Sequence, residues 1–260
     1  MISTLVGVLN LGLGLLYLSY GLMTIGDLRR GWATRGWSHF ALAWIAMAFT
    51  CGPHHLEHGL HVLTTEQVGG SLDLIAVIVG LPAATIWFLL RVEARRGGRG
   101  DRPIPGTPAW LEALPTLGAV YVLAFTTGAL LVMVERATFD VRLLPNLLLV
   151  GLYTAVGWVL GRTQVRTRRL TGGWSLSGVS LAAVFPTCAV MHASWIVYVS
   201  SGRYLIDPHL LVIDTVAVPA TAYFLWVMAA IGSGRLTDWT RAAVDARGAE
   251  PEPVTAAEQL

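Results

Sequence analysis

The chain has 260 residues, of which 54% are hydrophobic and only 13% are charged, and its mean hydropathy is +0.60. This composition leaves too little polar surface to cover a soluble globule, so an ordinary soluble domain is excluded. The net charge of +2 comes from arginines that lie between apolar segments, and it gives no reason to expect a nucleic-acid partner.

Seven apolar segments follow one another along the chain. Each is about 20 residues long or more, which is the length that crosses a hydrocarbon core of about 30 Å. The segments are residues 2–25, 38–63, 71–91, 108–134, 143–161, 174–200 and 208–231. Because backbone groups in lipid must find partners within their own segment, we predict helices. The predicted fold is all-α and integral to the membrane, a bundle of seven transmembrane helices in contact with the lipid bilayer.

The arginines predict the orientation of this bundle. Of the 18 basic residues, 15 lie in the loops after the first, third and fifth segments or in the C-terminal tail. Only Arg136, Arg142 and Arg203 lie in the alternate loops. Since the side richer in arginine is cytoplasmic, we predict a multi-pass protein of the cell membrane with its N-terminus outside and its C-terminus in the cytoplasm.

An internal repeat relates the two halves of the chain. A shift of 137 residues lays the second and third segments on the sixth and seventh, with twelve identities across the 55 residues 36–90, and a shift of 136 aligns the first segment with the fifth. The matches include the only two cysteines and several polar side chains: Cys51 with Cys188, His55 with His192, Asn10 with Asn146, and Tyr17 with Tyr153. Such matches between rare residue types favour a duplication.

The repeat predicts the domain organisation. Residues 1–107 hold the first three-helix repeat, residues 108–137 a linking fourth helix, and residues 138–233 the second repeat. The two repeats run in the same direction through the membrane, which gives a 3+1+3 architecture. Residues 234–260 are polar and rich in Pro, Glu and Ala, and we expect a disordered cytoplasmic tail.

The second and sixth segments carry the candidate functional residues. On a helix, Cys51 shares a face with His54, His55 and His58, and in the sixth segment Cys188 and His192 are again four residues apart. Two thiolates and two imidazoles suit a tetrahedral site for zinc or cuprous copper. The full set of predicted metal ligands is Cys51, His54, Glu57, His55, His58, His61, Cys188, His192 and Asp214.

Ionisable groups at membrane depth support this hypothesis, because they are costly there and are usually functional. We predict a protein that handles, senses or transports copper or zinc in the outer half of the bilayer. The two cysteines can also form one disulfide, or simply be small buried residues.

Other functions stay open at this stage. His55 and His192 can be axial ligands of a haem, and Glu57 or Asp214 can be the general base of a metal-dependent oxidoreductase or hydrolase. A metal-free solute transporter of 3+1+3 architecture is a further alternative, although the inner halves offer few polar residues, namely Asn10, Asn146, Thr154 and Ser180. The sequence also leaves open a homo-oligomer. The absence of lysine excludes a retinal Schiff base.

Overall fold

The computed structural model describes residues 2–65, 70–105, 109–135 and 138–240. Within these ranges the chain forms seven α-helices and one pair of short strands. In chain order they are α1 (Ile2–Arg35), α2 (His39–Thr64), α3 (Ser71–Arg95), β1 (Pro103–Pro105), α4 (Leu114–Glu135), α5 (Leu144–Thr171), β2 (Gly173–Ser175), α6 (Leu176–Ser200) and α7 (Pro208–Gly232). The strands β1 and β2 pair antiparallel.

Six of these helices are long and apolar enough to cross a membrane, which confirms a multi-pass membrane protein in contact with lipid. The exception is α2, because its second half carries His54, His55, Glu57, His58 and His61. These side chains are mostly turned into the protein, where polar groups can find partners. The crossing of α2 and the orientation of the termini stay predictions.

Helix packing in the first three helices resembles that in the last three. Helix α1 packs on α2 and α3, α5 packs on α6 and α7, and the two groups meet where α3 contacts α6 and α2 contacts α7. Helix α4 lies at the edge against α5 and α6, and its buried residues are Val122, Thr126 and Met133. The hydrogen-bonded buried histidines and their partners lie on α1, α2, α5, α6 and α7.

Glycines bring α1 and α2 close together. A Cβ atom on Gly14 would stand 2.8 Å from the carbonyl oxygen of Gly52, and a Cβ atom on Gly59 would stand 2.8 Å from that of Gly7. Membrane helices approach closely where both present small residues. This contact places Asn10, between the two α1 glycines, against α2.

The segment after α7 is ordered at its start, where the sequence analysis expected disorder from Gly234 onward. The backbone amide of His39 donates to the carbonyl of Asp238 at 3.0 Å, and that of Phe40 donates to the Asp238 carboxylate at 2.9 Å. The Trp239 ring lies 4.3 Å from the Arg35 guanidinium. Asp238 thus caps the start of α2, because the first amides of a helix need acceptors. Residues 241–260 of the predicted tail lie outside the described residues.

Candidate metal centre

A small cavity lies inside the bundle, toward the end at which α2 and α6 end and α3 and α7 begin. We call this the histidine end of the bundle and the space the central cavity. Its volume is about 10 Å³, which accommodates one water molecule or one ion. The lining residues are Thr50, Cys51, His54, His55, Tyr153, Cys188, Met191, His192, Asp214 and Ala217. The structure therefore places both cysteines, three of the predicted histidines and Asp214 around one space.

A chain of hydrogen bonds orients two of these histidines. Nδ1 of His54 lies 2.7 Å from Oδ1 of Asp214, and Nδ1 of His192 lies 2.7 Å from Oδ1 of Asn146. Nδ2 of Asn146 donates to Oδ2 of Asp214 at 2.9 Å, which fixes the amide so that its oxygen faces His192. Since a carboxylate or amide oxygen only accepts, each imidazole donates from Nδ1.

His55 is oriented in the same way from the other half of the chain. Its Nδ1 lies 2.8 Å from Oδ1 of Asn10, and Nδ2 of Asn10 donates to the carbonyl of Val6 at 2.9 Å. In a neutral ring whose Nδ1 carries the proton, the lone pair is on Nε2. No residue in the described part of the chain makes a hydrogen bond to Nε2 of His54, His55 or His192. These three nitrogens are therefore available as ligands.

The two thiols are free and buried. Sγ of Cys51 lies 3.1 Å from the Tyr153 hydroxyl, and Sγ of Cys188 lies 3.5 Å from the Tyr17 hydroxyl. Each contact joins a cysteine of one half of the chain to a tyrosine of the other half. The disulfide alternative is not realised in this structure.

The same tyrosines also stack on histidines. The rings of Tyr17 and His55 are 5.5 Å apart with 8° between their planes, and those of Tyr153 and His192 are 5.4 Å apart with 25° between their planes. Tight packing of this kind restricts ring rotation and keeps each imidazole in one orientation. The Nε2 atoms of His55 and His192 therefore have fixed positions at the cavity.

Three side chains at the central cavity meet the distance requirement for a shared metal ion. His54, His192 and Asp214 each offer a ligand atom, these atoms all lie within 4.8 Å of one another, and all three residues are buried. The rings of His54 and His192 are 4.7 Å apart. This part of the structure is geometrically able to bind a metal ion.

The remaining predicted ligands lie progressively closer to the histidine end. His58 is one turn further along α2, 6.1 Å from the Tyr204 ring, and Nδ1 of His61 lies 3.6 Å from the Asp207 carboxylate. Glu57 forms a partly exposed group with Asp207 and His209, whose ligand atoms again lie within 4.8 Å of one another. The predicted ligand set therefore occupies three levels and does not form a single site.

Tyr204 packs against both His58 and His61. This loop residue is 2% exposed, and its hydroxyl is buried without a hydrogen-bond partner among the described residues. Burial raises the pKa of the phenol above its usual range, and the negative charge of Asp73 adds to this effect. The phenol therefore stays neutral at physiological pH and adds no charge beside His58 and His61.

Sequence reasoning placed two of the orienting residues at the wrong depth. It assigned Asn10 and Asn146 to the inner half of the membrane, but they contact His55 and His192 at the central cavity. Both asparagines lie in the first half of a helix that begins at the histidine end, α1 or α5. The signal that could have identified them, together with Tyr17 and Tyr153, was their match across the repeat.

Comparisons of this chain with protein-family models, with curated proteins and with solved structures found no match. The chain is a helical multi-pass membrane protein with a buried cluster of histidine and aspartate that is geometrically able to hold a metal ion.

Proposed function

We propose that the protein binds one copper or zinc ion in the central cavity and handles, senses or transports that metal. A single observation supports this most strongly. Every imidazole that lines the cavity directs Nδ1 to an Asp or Asn oxygen and leaves Nε2 without a partner in the described residues. Metal-ligating histidines nearly always have this arrangement, because the outer hydrogen bond fixes the tautomer and the ring orientation.

The types of donor atom support copper or zinc. We assign Nε2 of His54 and His192 as the principal ligands. The thiols of Cys51 and Cys188 line the same cavity but lie outside the group of ligand atoms within 4.8 Å of one another, and we assign them as softer donors that a bound ion can draw in. Both carboxylate oxygens of Asp214 already accept hydrogen bonds, from His54 and Asn146. Each of these oxygens keeps a second lone pair, so Asp214 orients His54 and also offers an oxygen ligand beside His54 and His192.

The size of the central cavity favours an ion over the alternatives. A haem or a solute needs a pocket of about 300 Å³ or more, whereas this cavity measures about 10 Å³. The same size supports binding or sensing over conduction, because a cavity of about 10 Å³ among the described residues holds no more than one ion.

We also infer that the chain is a 3+1+3 parallel repeat of seven membrane-crossing helices. Two matched pairs of contacts support this inference: the Asn–His bond occurs in both halves, and each cysteine contacts the tyrosine of the other half. An axis that relates the halves would pass near the central cavity. With the orientation predicted from the arginines, the histidine end faces the outside of the cell.

Metal analysis of the purified full-length protein tests the proposal. The protein is incubated separately with Zn²⁺ and with Cu⁺ under reducing conditions, desalted, and measured for bound metal and for its absorption spectrum. We expect one ion per chain. The substitutions H54Q and H192Q should abolish retention of that ion.

H39Q is the matched control, since His39 begins α2 at the opposite end from the central cavity. It should bind metal like the wild type. The proposal fails if the wild type retains neither ion, or if H39Q loses metal as H192Q does. A Soret band in the purified protein would replace the proposal with the haem alternative.

A further inference from the structure

A second void lies next to the central cavity, toward the histidine end. We call it the outer void; it is enclosed by α2, α3 and α6, and its volume is also about 10 Å³. Its lining residues are His54, His58, Asp73, Met191, Trp195 and Tyr198. His54 and Met191 line both spaces, so these two side chains lie between the outer void and the central cavity.

His58 places an unpaired donor or acceptor at this void. The residue is 4% exposed, and its Nε2 atom is buried with no hydrogen-bond partner in the described part of the chain. The Trp195 and Tyr204 rings pack around the imidazole at 6.0 and 6.1 Å. Buried polar atoms are nearly always satisfied, so an unsatisfied one beside a void of this size indicates a bound group.

Asp73 brings a carboxylate to the same void from the first turn of α3. It is 2% exposed, and its Oδ2 atom accepts a hydrogen bond from the amide of Gly70 at 3.2 Å. No described residue donates to its other oxygen. A side chain on Gly70 would collide with the Tyr198 hydroxyl, so the void is closed tightly on this side. A buried carboxylate with a free oxygen provides a charge that suits a cation.

We propose that His58 and Asp73 form a second cation station, through which the metal of the central cavity is loaded from the histidine end. This inference rests on the proposed function and adds the route by which the metal ion reaches the central cavity. The route begins at the partly exposed group of Glu57, Asp207 and His209. It continues along one face of α2.

The spacing of the α2 histidines fits transfer by ligand exchange. His61, His58 and His54 follow one another at intervals of three and four residues, which places them on the same face of the helix. The rings of His58 and His54 are 6.3 Å apart, and those of His54 and His192 are 4.7 Å apart.

Each level also contains both an imidazole and a carboxylate. The surface level has Asp207, the outer void has Asp73 and the central cavity has Asp214. A cation that moves inward is therefore next to a compensating negative charge at every step. Asp73 aligns with Leu210 in the other half of the chain, so the second repeat lacks this station.

Loading kinetics test the inference. Full-length protein in lipid nanodiscs is mixed in a stopped-flow instrument with Zn²⁺ or Cu⁺, using whichever ion the wild type retains, and uptake is followed by competition with a chelating indicator. In D73N and in H58Q we expect loading to slow by about tenfold or more, because a charged path raises ion capture rates by that order. The affinity at equilibrium and the single ion held in the central cavity should be unchanged, since His54 and His192 are intact.

D27N and H39Q are the matched controls, because Asp27 and His39 lie at the opposite end of the bundle. Both should load at the wild-type rate. D73N removes the charge but keeps the size of the side chain, and H58Q provides a second, independent change. Size-exclusion profiles and thermal midpoints confirm that each variant is folded.

The outcomes separate the two proposals. Normal loading rates in both D73N and H58Q, with metal still lost in H192Q, would overturn the station and leave the central site standing; the outer void would then hold water only. Loss of equilibrium binding in D73N would also overturn the route, since it would make Asp73 part of the central site. A wild type that binds no metal would overturn both.

Discussion

Nδ1 of His192 lies 2.7 Å from the amide oxygen of Asn146, so a residue at the start of α5 determines which nitrogen of an α6 imidazole faces the central cavity. The amide nitrogen of Asn146 bonds to Asp214 on α7, and Asp214 bonds to His54 on α2. One hydrogen-bonded chain thus crosses four helices. It orients the proposed ligands His54 and His192 through Asp214 and Asn146.

Replacement of Asn146 by leucine should weaken metal binding without removing a ligand. N146L frees His192 to rotate and leaves one oxygen of Asp214 without its donor. We expect the affinity to fall by about 10- to 100-fold, as for other outer-shell changes. Competition titration against an indicator of known affinity measures this. N10L is the matched change in the other half, and it should have a smaller effect because His55 is outside the three-residue group of His54, His192 and Asp214. If N10L weakens binding as much as N146L does, or more, His55 belongs to the principal site.

The double substitution of Cys51 and Cys188 by serine should alter metal preference. Each serine hydroxyl can still contact the tyrosine that the thiol contacts, at Tyr153 or Tyr17, so the fold should be retained. We expect the affinity for Cu⁺ to fall by at least about tenfold and the affinity for Zn²⁺ to fall less, because thiolates favour the softer ion. Parallel titrations with the two ions give the comparison. An unchanged Cu⁺ affinity would show that imidazoles alone form the site.

A larger side chain at Gly52 should separate α1 from α2. A Cβ atom at this position would stand 2.8 Å from Cγ of Leu18 and 3.3 Å from the carbonyl of Gly14. We expect G52L to lose about 1–3 kcal/mol of stability, as overpacked cores do, and to weaken the bond between Asn10 and His55. Thermal unfolding in detergent checks this. Gly151 is the matched control, because a Cβ atom there would meet nothing within 4 Å. If G151L is as harmful as G52L, the loss does not come from the close contact between α1 and α2.

Asp101 should make stability depend on pH. Burial by itself would raise the pKa of this carboxyl, but hydrogen bonds from Ser175, Ser177 and Arg102 outweigh that effect and hold the pKa below its usual range. A group whose pKa is lower in the folded state stabilises the fold above its unfolded pKa, and this contribution is lost as the pH falls through the folded pKa.

The wild type should therefore exceed D101N in thermal midpoint at pH 7. The difference should begin to shrink as the pH falls to about 4, near the unfolded pKa of an aspartate, and should vanish once the pH lies below the lower pKa of the folded state. We expect it to correspond to less than about 1 kcal/mol, because the carboxylate is partly exposed to solvent. Midpoints measured from pH 3 to pH 7 provide the test. A constant difference across this range would mean that Asp101 acts through its shape alone.

Local features of the sequence were enough to predict the helices of this protein and one face of α2. The seven apolar segments correspond to α1–α7, because the length of an apolar run and its flanking charges are properties of the chain itself. Helical spacing predicted in the same way that one face of α2 carries Cys51, His54, His55 and His58. The ordered segment before Thr240 could not be foreseen, since the cap that Asp238 provides for α2 joins residues 200 positions apart.

The sequence by itself determined that this is a membrane protein of long helices, with two cysteines and a ladder of histidines toward one end. Only the tertiary structure decided that Tyr17 contacts Cys188 and that Tyr153 contacts Cys51. It also decided that Asp214 accepts a hydrogen bond from His54. The physical reason is that these contacts depend on how far each helix is rotated about its axis and how closely its neighbours approach. Rotation and distance are set jointly by the packing of all the helices, through small residues such as Gly14 and Gly52, and no single segment encodes them.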